Sequence, residues 1–267
     1  MSASDRSVVH PGARLGRNTS VAPFALIEND VIIGDNCEIG PQTVIRASTR
    51  LGSHCTLRAG VVIGDPPMDS AFKGESSGVA IGDHNDLREY VTIHRATGAG
   101  QNTVIGNDNV IMPYTHVAHN CRIGNRVTIT NACQLAGYVQ IDDGAVLGGM
   151  TGIHQFTRVG ALAMAGACSY LAKDLPPYLI GAGNPFKVRG VNRIGLRRAG
   201  FAPEQLDRLR EIYRIVYRSQ LNFSDAISEI RGRFPDFPPA QQFIAFVENS
   251  SRGIQLRPEI ADSSEYE

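Results

Sequence analysis

A chain of 267 residues has room for one or two domains, and its 26 basic and 26 acidic residues cancel to a formal charge of zero. That balance excludes a global electrostatic pull toward nucleic acid or an anionic membrane. No secretory hydrophobic region opens the chain and no apolar run approaches the ~20 residues that cross a bilayer, so a cytoplasmic protein without stable membrane insertion is expected.

From Val9 to Leu171 an aliphatic residue recurs at every sixth position. The series runs Val9, Leu15, Val21, Ile27, Ile33 and onward to Ile63, resumes at Ile81, Leu87 and Ile93, and continues from Ile105 to Leu171. A helix repeats every 3.6 residues and a half-buried strand every two, so this period is neither. It is the signature of hexapeptide repeats, and predicts an all-β solenoid, a parallel β-helix. Six extended residues make a straight side of roughly 20 Å and three sides are the fewest that close, so one coil takes about 18 residues and stacks on the next at ~4.8 Å. Residues i and i+18 are therefore predicted to lie one above the other. Glycine often follows the aliphatic residue, as at Gly34, Gly52, Gly106 and Gly124, with Asp or Asn frequently next. Those residue types tolerate tight corners. Cys37, Cys55, Cys121 and Cys133 each fall four places after an aliphatic slot and read as small packing residues in a reducing compartment.

The rhythm fails at Asp69, Glu75 and Ala99, which marks extruded loops over 65–78 and 97–102. Loops that leave a solenoid tend to carry binding function, and the longer one mixes prolines, a carboxylate and Phe72. Of seven histidines, His116, His119 and His154 carry weight. By the 18-residue rule His119 lies under Gly137 and Gly137 under Gln155, which is next to His154. Acyl transfer needs such an arrangement: a neutral imidazole takes the proton from an attacking hydroxyl or amine, and a glycine N–H holds the oxyanion. A second column, Asn131, Gly149 and Ala167, is read either as a groove along a prism face that seats an acyl chain or as crowding at a subunit contact.

The rhythm stops near residue 190, dividing the chain into a β-helix domain, 1–190, and a helical domain, 191–267. Pro203 falls in the first turn of a predicted helix whose stripe is Leu206, Leu209, Ile212, Tyr213 and Val216. Two shorter helices are expected after Asn222 and Pro239, and a frayed acidic tail from Asp262 to Glu267. Lys187, Arg189, Arg193, Arg197, Arg198, Arg208, Arg210, Arg214 and Arg218 concentrate basic charge late in the chain. They are either solvated helix faces or a surface for an acidic protein or a phosphate-bearing substrate.

Several segments resemble the bacterial UDP-N-acetylglucosamine O-acyltransferase family, which performs the first acylation of lipid A synthesis. They are Val91-Thr-Ile-His94-Arg95, His116-Val-Ala-His119-Asn-Cys-Arg-Ile-Gly-Asn125, Leu135-Ala-Gly137, Gly148-Gly-Met-Thr-Gly-Ile-His154-Gln155-Phe156, Pro176-Pro-Tyr178 and Gly195-Leu-Arg-Arg198. The resemblance implies a homotrimer of left-handed β-helices with active sites between neighbouring prisms. It implies His119 as general base, Gly137 as oxyanion donor, and His154 and Gln155 near substrate and thioester. Asp69, His94 and His116 would join the substrate-binding set, with Asn192 and Arg198 near the nucleotide end. Asn131 and Gly149 would line the acyl groove and Ala167 its floor, giving a chain no longer than the longest the family uses. The donor would be a 3-hydroxyacyl chain on acyl carrier protein, an acidic partner suited to the late basic cluster, and the acceptor the 3-position of UDP-N-acetylglucosamine. No cofactor and no metal are implied.

Four positions depart from the family pattern. Asn120 replaces an Asp after the catalytic His, Ala71 a loop Lys, Ala199 a second Arg, and Tyr138 a His. The departures leave the acceptor open between UDP-N-acetylglucosamine, a 3-amino analogue or another acceptor. Two further readings stand beside acyl transfer. One is a zinc enzyme of the γ-carbonic-anhydrase kind using His116, His119 and His154. The other is a catalytically degenerate paralogue that binds nucleotide sugar or acyl carrier protein without turnover.

Overall fold

The computed structural model describes residues 2–255; the acidic tail expected from Asp262 to Glu267 lies outside them. Each hexapeptide contributes one short strand, and among the described residues the strands form three sheets of eleven, nine and eight. We refer to these as faces I, II and III. The chain visits them in the order II, III, I, beginning with Val8–Val9, Arg14–Leu15 and Ser20–Val21. Ser20 pairs with Glu38, Leu26 with Val44 and Ile32 with Arg50, all parallel, which is the predicted step of 18. Inside the prism the aliphatic residues stack, with Ile27, Ile45, Ile63 and Ile93 wholly buried. The architecture is a left-handed parallel β-helix with helices at its C-terminal end.

The corners are built differently from the expectation. The residue with positive φ stands three places after the aliphatic one and is seldom glycine: Asn36 (57°), Tyr90 (57°), Asn120 (59°) and Tyr138 (62°) all occupy it. The glycine directly after the aliphatic residue answers a need for space instead. A Cβ on Gly34 would lie 2.7 Å from the Gly52 carbonyl carbon, and one on Gly148 would lie 2.3 Å from the Ala167 nitrogen. The small residue four places on is buried and bonds upward. Cys37 Sγ lies 3.1 Å from the Gly52 carbonyl, as Thr43 Oγ1 lies 3.2 Å from that of Arg58. Cys37, Cys55, Cys121 and Cys133 are therefore packing residues, while Cys168 is exposed.

The step of 18 changes where the rhythm breaks. Leu51 pairs with Ile81, and Leu57 with Leu87, thirty residues on. Ile81 then pairs with Ile105 and Ile93 with Val117, twenty-four residues on. The first loop thus removes twelve residues from the coil and the second six. Both are shorter at their ends than predicted, because Asp65, Gly78 and Asn102 belong to strands Val62–Asp65, Gly78–Ile81 and Asn102–Ile105. The loops are bound to each other. Glu75 accepts the Gly98 N–H at 2.7 Å and that of Lys73 at 2.7 Å, and the Gly100 N–H donates to the Ser76 carbonyl at 2.8 Å.

Beyond the coils, Leu179–Ala182 extends face I and Lys187–Val191 returns antiparallel to it. Among the described residues four helices follow: α1 (Arg193–Arg198), α2 (Pro203–Arg218), α3 (Phe223–Arg233) and α4 (Pro238–Glu248). Pro203 opens α2, and Asn222 caps α3 through the Asp225 N–H. The buried stripe of α2 differs from the predicted one: Ile215 and Tyr217 are buried alongside Leu206, Leu209 and Ile212, whereas Tyr213 and Val216 are only half-buried at its edge. Arg158 fastens α4 to the prism, its guanidinium 4.1 Å from the Phe246 ring centroid and bonded to the Phe246 and Asn249 carbonyls. Among the described residues no helix is long and apolar enough to cross a membrane.

Candidate active site

His119 stands at the corner where the chain leaves face II, two residues after strand His116–Val117. Its neighbour Asn120 takes the left-handed turn and is clamped by the shorter loop. Asn120 Oδ1 accepts the Thr97 N–H at 2.9 Å, and its Nδ2 donates to the Thr97 carbonyl at 3.0 Å. The amide is thereby locked with its oxygen 2.9 Å from His119 Nδ1. An acceptor in that place requires Nδ1 to carry the proton, which leaves Nε2 unprotonated in the neutral ring.

Nε2 faces the glycine one coil above. A Cβ on Gly137 would lie 2.6 Å from both Nε2 and Cε1 of His119, so only glycine lets the two coils stack with the imidazole between them. The Gly137 carbonyl accepts the Phe156 N–H at 3.1 Å, whereas no group among the described residues accepts the Gly137 N–H. Tyr138 sets its ring edge-on to His119 at 5.4 Å and stacks on Phe156 at 4.8 Å. An unprotonated imidazole nitrogen and a free N–H therefore share one corner.

A cleft of about 520 Å³ opens there, lined by His116, His119, Gly137, His154 and Gln155 together with Met68, Gln134 and Tyr170. His154 directs its Nδ1–H to the Gln155 carbonyl at 3.0 Å, leaving Nε2 toward the cleft as an acceptor. The His94 and His116 rings meet edge-on at 4.9 Å, and Thr92 Oγ1 lies 2.8 Å from His116 Nδ1. Burial pushes both imidazoles down, His116 to about 4, so they are neutral at ordinary pH. His94 Nδ1 and His116 Nε2 are buried without a partner among the described residues. Buried polar atoms of that kind are costly, and a bound ligand is a natural way to satisfy them. From the longer loop Asp69 brings Oδ2 to 3.8 Å from His119 Nδ1. The Ala71 N–H, 2.9 Å from Oδ1, holds the Asp69 carboxyl below the usual carboxylate range.

Asn131, Gly149 and Ala167 do stack: the Met150 N–H donates to the Asn131 carbonyl and the Cys168 N–H to that of Gly149, each at 2.8 Å. They form the corner between faces I and II rather than a groove along a face. The column thus borders face II along the edge opposite His119 and Gly137, with strands Gln134–Leu135 and Gly152–Ile153 between.

Asn192 and Arg198 are not brought to this cleft. They line a separate one of about 610 Å³ on face I, with Val146, Met164, Ile180, Arg193 and Arg197. The Asn192 side chain is only 6% exposed. It accepts the Gly195 N–H at 3.1 Å and donates to the Leu162 carbonyl at 2.8 Å, capping α1. Arg198 ends α1 exposed. Among the described residues no three His, Cys, Asp or Glu side chains are placed to hold a metal ion, His116, His119 and His154 included, although these three line one cleft. The spacing of 18 does not show the His94–His116 contact or the Thr97 clamp, because both cross the second loop; with its six residues subtracted, His116 stacks on Thr92, and His94 meets the His116 ring diagonally.

The prism and this corner define a hexapeptide-repeat transferase. Residues 30–65 and 102–137 match the bacterial transferase hexapeptide family, and residues 174–255 match the second domain of UDP-N-acetylglucosamine O-acyltransferase. Two relatives are named acyl-[acyl-carrier-protein]–UDP-N-acetylglucosamine O-acyltransferase. That from Synechocystis sp. is 46% identical over 192 residues, 72% of this chain and 69% of its own. That from Burkholderia mallei is 43% identical over 199 residues, 72% of this chain and 75% of its own. Among solved structures, the UDP-N-acetylglucosamine acyltransferase of Francisella novicida superposes with a TM-score of 0.93 at 35% identity, covering 96% of this chain and 95% of that one. The Bacteroides fragilis enzyme gives 0.92 at 41%, covering 94% and 98%. The chain belongs to the UDP-N-acetylglucosamine O-acyltransferase family.

Proposed function

We propose that this acyltransferase moves a 3-hydroxyacyl chain from acyl carrier protein to the 3-hydroxyl of UDP-N-acetylglucosamine, the first acylation of lipid A synthesis in the cytoplasm. The observation that carries the reading is the corner itself, where the tautomer fixed by Asn120 leaves Nε2 of the neutral His119 ring as an acceptor beside a Gly137 N–H that has none among the described residues. The sugar hydroxyl attacks the thioester carbonyl and gives its proton to His119 Nε2. The tetrahedral oxyanion is held by the Gly137 N–H. Collapse breaks the carbon–sulfur bond, and the carrier thiolate takes the proton back from the imidazolium. His94, His116, His154 and Gln155 bind the substrates, and no metal or cofactor enters any step.

The working unit is a homotrimer in which face II of one prism meets the face I cleft of its neighbour, bringing Arg198 to the nucleotide. Asn192 serves this arrangement by capping α1, and the exposed arginines of α1 and α2 receive the acidic carrier. The acyl chain crosses face II toward Asn131, Gly149 and Ala167. Residues 1–190 act as the transferase domain and 191–267 as the helical domain.

The test is incubation with UDP-N-acetylglucosamine or its 3-amino analogue and a set of 3-hydroxyacyl carrier proteins, with products identified by mass spectrometry. Replacing His119 by Ala should lower kcat about a thousandfold. No product from any pair would refute the reading, and undiminished transfer by His119→Ala would remove His119 as the base.

A further inference from the structure

We propose that the negative charge stabilising the His119 imidazolium during transfer comes from Asp69 in the extruded loop, while Asn120, next to His119 in sequence, supplies orientation alone. The inference rests on the acyl-transfer reading above. Asn120 is neutral and its amide is locked by the Thr97 peptide, so it fixes the Nδ1–H but offers no charge to the cation that forms when Nε2 takes a proton. Asp69 Oδ2 is 3.8 Å from the same Nδ1, and the two side chains are only 20% and 13% exposed. That separation is long for a hydrogen bond. It is well within the range where opposite charges in a partly dry cleft favour each other's ionised forms.

The geometry keeps the carboxylate available. Oδ1 is tied to the Ala71 N–H, which leaves Oδ2 directed at the imidazole. Among the described residues no Lys or Arg is within ion-pair distance of Asp69: position 71 is alanine, and Lys73, which favours the carboxylate only from a distance, turns its ammonium onto the Ser70 carbonyl at 2.9 Å. The other ionisable groups nearby are otherwise engaged. Glu75 is held by the Gly98 and Lys73 N–H groups, Asp65 pairs with Arg46 at 2.6 Å, and His94 and His116 are kept neutral by burial. Charge and orientation reach His119 from two loops that Glu75 joins. Asp69 is thus a positioning residue that acts through His119.

The decisive measurement is a rescue. Asp69→Asn keeps an acceptor for the Ala71 N–H and removes the charge. It should lower kcat roughly 10- to 100-fold while KM for UDP-N-acetylglucosamine stays within about threefold. Installing Asn120→Asp brings a carboxylate to the side of Nδ1 that the Asn120 oxygen now occupies, keeping the Thr97 N–H bond and giving up the bond from Nδ2 to the Thr97 carbonyl. In that background Asp69→Asn should cost less than about threefold in kcat. If Asp69 only binds the sugar, Asp69→Asn will raise KM and Asn120→Asp will not compensate, which overturns the inference. A wild-type protein that transfers acyl chains but shows no rescue sinks this inference alone; one that transfers none sinks the acyl-transfer reading as well. A double variant with recovered kcat is its own proof of folding.

Discussion

The corner between faces II and III runs the length of the prism, and its lower and upper halves are finished in opposite ways. Below the loops Glu28, Arg46 and Asp65 occupy it, and every charge is spent within the column. Arg46 pairs with Glu28 at 2.7 Å and with Asp65 at 2.6 Å, and the second Glu28 oxygen accepts the Ala47 N–H at 3.0 Å. Above the loops the same corner carries His94, His119, Gly137 and His154. There the polar atoms are left over: among the described residues His94 Nδ1 has no partner and the Gly137 N–H no acceptor. One backbone geometry thus serves two purposes, and the side chains decide between closing the coil on itself and leaving groups for a substrate. Natural sequences break local rules of satisfaction mainly where function asks for it.

Filling the upper half should break this contrast most severely. Gly137→Ala sets a methyl group where His119 Nε2 now stands, at a calculated 2.6 Å, so the imidazole must move away from the N–H. A fall in kcat of at least about a hundredfold is expected, the scale of losing one oxyanion donor together with the base. Steady-state kinetics beside a melting curve will check it. A variant that turns over normally would show that base and donor need not share the corner. A smaller effect is expected at the opposite edge of face II. Ala167→Met adds bulk at an exposed corner residue above Gly149. It should shift preference toward shorter acyl chains by about tenfold in kcat/KM, read from competition between 3-hydroxyacyl carriers of different length. Unaltered chain preference would place the acyl chain elsewhere.

How much of this contrast can be read from residues alone depends on whether a loop intervenes. The period of six and the step of 18 are local properties, so the prism and the His119–Gly137–Gln155 column follow from spacing. Contacts that cross 66–77 or 97–101 do not. There the step becomes thirty or twenty-four; the two missed slots at Asp69 and Glu75 and the single one at Ala99 give those lengths, but not where the extruded residues fold back against the prism. The Thr97 clamp on Asn120 and the approach of Asp69 to His119 belong to that class. The turn positions were hidden for another reason: aromatic residues such as Tyr138 and Tyr90 take a left-handed conformation usually signalled by Gly or Asn. Helix α1, six residues long, is too short to show a period. Asn192, placed near the nucleotide by resemblance alone, lines the face I cleft and caps α1 with the same amide, a double role that spacing does not reveal.

The smallest effect tests the lower half. Arg46→Met removes the cation between two carboxylates while keeping most of the side chain's bulk, and should cost about 1 kcal/mol of stability, since the pair is partly exposed. Because Arg46 lies below the cleft and touches none of its lining, kcat should change by less than about twofold. The deficit should also depend on pH with a definite sign. Burial works to raise the Glu28 carboxyl, but the Arg46 hydrogen bond and the Ala47 N–H outweigh it and hold the group below its ordinary value. A carboxyl depressed in the folded state contributes stability above its unfolded pKa and loses it as pH falls through the folded one. The difference in melting temperature between wild type and Arg46→Met should therefore be full at pH 7 and shrink below about pH 4. A difference that persists in acid would mean that Arg46 acts through packing, and a loss of kcat matching that of a cleft residue would mean that the two halves of the corner are not independent.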